Sequence, residues 1–336
     1  MKVWTKPSSA PRQPRVRLLS RRQVARRLTV VLVAGAALAA PLRVVMADPT
    51  PAAIDAAGAT TARNAAAAAC RCDDFDAEVA ATQAIFAARG EGAATPTTAA
   101  MLARYRQAVD ETYERASCLV RCQTVSDRDR NRARVLLGNA GFRSGTAGSS
   151  KAIVQERLNT VVMETERCLA AEPEHPACHL LHATARGLLI RDSWNPLNVT
   201  APRAILAEFR AARGGKPPGE DLYDGAAMRG EVLFMLRAPS VVGGDIEGAR
   251  RLVEQAARSL RFACVVSNGV IVAEAAARGG DYERAKKELA ATIADGLPSC
   301  GEPRYENASS LEVAKRCLAK LEQRAGVDPG WDEDCR

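Results

Sequence analysis

Aromatic side chains are scarce, with Phe, Trp and Tyr making up 4% of 336 residues. Alternating β-branched runs are missing too, which argues against a sheet core. Histidine occurs three times, always between 175 and 182. One such cluster leaves no Ser/His/Asp order to propose. No Cys-x-x-Cys occurs, so neither a zinc ribbon nor a thioredoxin-like redox site is supported. The glycine-rich stretch 138–148 lacks the lysine-then-hydroxyl order of a phosphate loop. Acidic residues are absent from positions 1–47, which carry ten basic ones. The formal charge of +8 therefore belongs to the N-terminus. The remaining 289 residues hold 37 basic and 39 acidic groups, a net of −2, so a nucleic-acid partner is not expected.

The first 47 residues read as an export signal. A basic region ends at Arg27, and an apolar run extends from Leu28 to Leu42. Val45-Met46-Ala47 then supplies small residues at the positions a signal peptidase requires, before Asp48. The apolar run is short of the roughly 20 residues of a membrane span. Ser20-Arg21-Arg22-Gln23-Val24-Ala25-Arg26 loosely resembles the twin-arginine export motif. A cleaved, periplasmic or secreted product is expected.

Ten cysteines fit an oxidising compartment. They stand at Cys70, Cys72, Cys118, Cys122, Cys168, Cys178, Cys264, Cys300, Cys317 and Cys335.

Residues 48–73 form an Ala-rich linker, and helical periodicity runs almost throughout from Phe75. Helices are expected near 74–89, 96–120, 129–142, 151–171, 176–191, 201–213, 222–238, 245–260, 265–279, 281–295 and 308–325. Asp245 and Asp281 each follow a Gly pair and are expected to cap the next helix. Gly244-Asp245-Ile246-Glu247-Gly248-Ala249 recurs as Gly280-Asp281-Tyr282-Glu283-Arg284-Ala285, 36 residues on. That offset is close to the roughly 34 residues of a tetratricopeptide repeat. Ala249, Val253 and Ala256 correspond to Ala285, Leu289 and Thr292, and the small residues among them let two helices approach closely. Upstream, Leu233 and Leu236 correspond to Gly269 and Val272. A third hairpin is expected across 176–213 with Ala204 and Phe209 in its seam. The fold class is therefore all-α: tetratricopeptide-like hairpins stacked as a solenoid. Residues 74–150 form an N-terminal helical region, 151–326 the repeats and 327–336 a tail.

In a hairpin the start of the first helix lies beside the end of the second. This predicts Cys264–Cys300, Cys70–Cys122 and Cys72–Cys118, while Cys168 and Cys178 flank a tight turn that they should bridge, and Cys317 then holds the tail through Cys335.

The run Leu236-Arg-Ala-Pro239-Ser-Val-Val-Gly243-Gly244-Asp245, with Ala249 and Glu254-Gln-Ala256, then Ser267-Asn268 and Ala273-Glu274, resembles the TatT family. These are the tetratricopeptide-like T components of TRAP transporter systems. Cys168 to Leu188 also looks similar, and the resemblance covers roughly 150–296. It implies an all-α repeat scaffold that binds periplasmic solutes or partner proteins, such as a solute-binding protein, and forms homo-oligomers. The chain departs from the family in lacking a lipobox cysteine and in its cysteine-bearing N-terminal portion.

The concave surface of such a solenoid is lined by the first helix of each hairpin. Here it would draw on His179, His182, Arg186, Arg229, Glu231, Asn268 and Glu274. Asn268 is expected to contribute polar contacts inside that groove. An alternative is a metal- or small-ligand-binding protein using His175, His179 and His182, whose spacings of 4 and 3 share one helical face. Pro176 suits a first helical turn, which puts His175 outside the regular helix. Glu164 and Glu166, and Asp332 to Asp334, read as solvated carboxylates. Asn198 and Asn307 each begin a glycosylation sequon. No cofactor and no catalytic group is expected.

Overall fold

Helix follows helix through the described residues from Phe75 to Gln323, and breakers such as Gly145, Pro173, Gly243-Gly244, Gly279-Gly280 and Gly296 fall between elements. The computed structural model describes residues 71–89, 99–192, 201–214, 222–259, 261–298, 300, 303–323, 331 and 335. The targeting segment, most of the linker, Cys70, the Asn198 sequon and Asp332 to Asp334 lie outside the described residues. The helices are α1 Phe75–Ala87, α2 Ala99–Leu119, α3 Asp127–Arg143, α4 Lys151–Ala171, α5 Pro176–Asp192 and α6 Ala201–Arg213. They continue as α7 Leu222–Arg237, α8 Ile246–Ala256, α9 Val266–Arg278, α10 Tyr282–Asp295 and α11 Arg304–Gln323. No strand occurs among the described residues.

The caps act as the sequence predicts. Asp245 accepts from the Gly248 N–H and Asp281 from the Arg284 N–H. Ser126 and Ser150 do the same for α3 and α4. Each satisfies a backbone donor that the first turn leaves free. One boundary differs in a way that matters below. α11 begins at Arg304, directly behind Pro303, a turn before the expected start at 308. That turn carries Tyr305, Glu306 and Asn307 into the helix.

Packing follows a simple order. Each helix lies against the next in sequence, and odd-numbered helices also lie against the next odd-numbered one. α1, α3, α5, α7, α9 and α11 thus form one layer, with the even-numbered helices held mainly by their chain neighbours. Four apolar clusters run in succession along this array. One, from Phe75 to Ala185, crosses position 150 without a break. The others overlap at α5–α7, α7–α9 and α9–α11.

Close approach replaces aromatic bulk in the seams. Ala249, Ala256, Ala285 and Leu289 are wholly buried. A methyl group added at Gly269 would lie 2.1 Å from Thr292 Oγ1, so α9 meets α10 through a bare backbone. Phe209 is buried as expected, but Ala204 is exposed. The α6 seam is built instead from Ile205, Phe209 and Ala212, which recur at helical spacing on one face.

Disulfides join Cys168–Cys178, Cys264–Cys300 and Cys317–Cys335, as the sequence predicts. The N-terminal prediction fails. Cys72 pairs with Cys122, and Cys118 is also disulfide-bonded. The expected Cys70–Cys122 and Cys72–Cys118 links assume that the chain runs on past the end of α2. Instead, tight-turn bonds from Arg121 N–H to Cys118 O and from Cys122 N–H to Leu119 O fold it back. Cys122 is thereby buried beside Cys72, one step out of nested order. The disulfides fit an oxidising compartment. No helix among the described residues is long and apolar enough to cross a membrane.

Candidate functional site

The helical array carries a series of buried or half-buried carboxylates, most of them gripped by two basic groups. On α4, Glu164 meets Arg134 at 3.3 Å and Arg167 at 2.5 Å. On α6, Glu208 meets His182 at 2.6 Å and Arg186 at 3.8 Å. On α7, Glu231 meets Arg210 at 2.8 Å and Arg213 at 3.0 Å. On α9, Glu274 meets Arg237 at 2.9 Å and Arg278 at 2.8 Å. The sequence reads Glu164 as a solvated carboxylate, but it is buried. Glu166, two residues on, is exposed, because the α4 face turns away there.

The residues expected to line a groove occupy these nodes. His182, Glu231, Asn268 and Glu274 are all buried. An ionised carboxylate only accepts, so the His182 Nδ1–H donates to Glu208. Asn268 donates from its amide to the Phe262 carbonyl at 2.8 Å. Arg229 donates to Asn268 Oδ1 at 3.3 Å and to the Asp224 and Tyr223 carbonyls. Arg229 thereby braces Tyr223 and Asp224, both held at positive φ. Thus Arg229 and Asn268 are brought together, and so are His182 and Arg186. Glu231 and Glu274 sit in separate nodes. Arg186 and Arg229 keep partial exposure.

The three imidazoles do not converge. His175 lies outside α5, as Pro176 predicts, and its Nδ1 accepts the Cys178 N–H at 3.4 Å. His179 donates from Nε2 to the Pro173 carbonyl at 2.7 Å. Among the described residues, Cys168, His175 and Cys178 are the one set whose ligand atoms lie within 4.8 Å of one another. Both sulfurs of that set are spent in the disulfide.

A further node has no signature in the sequence. Glu306 of α11 accepts from Arg89 at 2.8 Å, Arg143 at 2.8 Å and the Tyr105 hydroxyl at 2.9 Å. These donors follow α1, end α3 and lie in α2. The Tyr305 ring meets Tyr105 at 4.4 Å between centroids, and Arg89 stacks over Phe86 at 3.8 Å. Burial by itself would raise the Glu306 pKa, but the Arg143 and Arg89 charges outweigh it and hold the group at about 2. Burial, then the Glu306 charge, pushes the Tyr105 phenol well above its ordinary value. The last helix therefore returns to the first three. Asn307 is buried and accepts the Val266 N–H at 2.9 Å, so its sequon carries no accessible amide. Comparison of the chain with protein-family models, curated proteins and solved structures found no match.

Proposed function

We propose that this chain is an exported, disulfide-bonded helical-repeat scaffold that binds a protein partner or a solute in the periplasm. The observation that carries the reading is the layer of odd-numbered helices, each packed on the next. Stacked hairpins of this kind act as a solenoid, which presents one helix of each pair along a continuous surface. The N-terminal pattern supports export with cleavage after Ala47, and the near-neutral remainder supports a protein or solute over nucleic acid. The resemblance at 236–274 makes a TatT-like accessory role in a TRAP transporter the specific form of this proposal, with a solute-binding protein as partner and homo-oligomerisation. In this reading the scaffold binds and does not catalyse.

Cross-linking in the native envelope followed by mass spectrometry tests it. A solute-binding protein recovered in stoichiometric amount is the expected outcome, with Arg229→Ala lowering its recovery several-fold. Its absence under conditions that capture a known envelope complex would overturn the transporter role.

A further inference from the structure

A cleft of about 470 Å³ opens between the start of α3 and the end of α4. Its walls hold Asp127, Arg130, Arg134 and Arg167, with Ala170 and Ala171 beside them. Three guanidinium groups there share two carboxylates. Asp127 takes Arg130 at 2.8 Å and Arg134 at 3.1 Å, and Glu164 takes Arg134 and Arg167. Glu172, next to Ala171 in the chain, is already held by Arg128 at 3.2 Å and Asn131 at 2.7 Å.

The three arginines differ in what they have left to give. Arg134 uses Nε on Glu164, Nη1 on Asn131 and Nη2 on Asp127. Arg130 gives Nη1 to the Cys122 carbonyl and Nη2 to Asp127, but its Nε–H is buried with no acceptor. A buried donor without an acceptor is costly and calls for a partner. Arg167 binds Glu164 through Nη1 alone, and its side chain is 65% exposed. The cleft thus combines a surplus positive charge, a buried unused donor and a second guanidinium with room to turn inward.

We propose that this cleft binds an oxyanion, a carboxylate or phosphate group held between Arg130 and Arg167. Guanidinium forks match such groups with paired, charge-assisted hydrogen bonds. The site lies apart from the residues assigned to partner binding and does not rest on the transporter reading.

Calorimetric titration of the mature chain with inorganic phosphate, sulfate and acetate is the test, at fixed ionic strength. Saturable binding of at least one of them at a single site is expected. Phosphate alone would point to a phosphorylated ligand, acetate alone to a carboxylate-bearing one, and either supports the site. Arg167→Gln should weaken binding at least tenfold. Ala171→Phe, at an exposed position, should block it by filling the cleft, with the thermal melt unchanged in both variants. Absence of saturable heat with all three anions would overturn the proposal. So would binding that both variants leave intact.

Discussion

Glu306 is the residue on which three distant segments converge, and its protonation is a handle on the fold. Its pKa lies near 2 in the folded chain against an ordinary 4.5. A depressed carboxylate stabilises the fold above its unfolded pKa, and that contribution is lost as pH falls through the folded value. The contribution should be complete above about pH 4.5 and gone below about pH 2, amounting to roughly 3 kcal/mol. Glu306→Gln should cost about 3–5 kcal/mol at neutral pH, because Arg89 and Arg143 then stay buried without their counter-charge. Urea unfolding of both forms from pH 2 to pH 7 checks this: the two curves should converge at the acid end. The His182–Glu208 and Glu231 nodes are half legible in the sequence. It marks His182 and Glu231, but their partners on α6 become visible only when the helices come together. Glu274 and Arg278, four residues apart on one helix, can be paired by spacing alone.

At the scale of elements the sequence is most informative. Gly pairs followed by Asp245 and Asp281 announce two helix starts, since a free first-turn N–H needs an acceptor close in sequence. Removing the Asp281 side chain should therefore cost about 1 kcal/mol. Thermal unfolding of Asp281→Ala is the measurement, and Asp281→Asn, which keeps the acceptor, should restore most of the loss. Two departures at this scale have one cause. Ala204 reads as a seam residue although Ile205 and Phe209 define that face, and α11 starts a turn earlier than its periodicity indicates. Periodicity fixes a helix but leaves its rotation and its first turn to the neighbours that bury it.

Across the whole molecule, covalent links and the returning helix constrain the array. The Cys264–Cys300 bridge closes a separation of 36 residues, and spans the repeat unit read from the sequence. Replacing both cysteines by Ser should destabilise by about 2–4 kcal/mol, chiefly by freeing the unfolded chain. Chemical denaturation of the double variant measures it, with the helical content of the native state unchanged.

The sequence by itself determined the all-helical class, the two capped hairpins and three disulfide pairs. Each of these rests on interactions between residues near in the chain or related by one repeat. Only the tertiary structure decided that Cys72 joins Cys122, that Glu164 is buried, and that α11 closes back through Glu306 onto Arg89 and Arg143. Those partners lie up to 217 positions apart. A charge on one helix face carries no mark of which distant charge will meet it, because the pairing energy exists only once packing has excluded water from both.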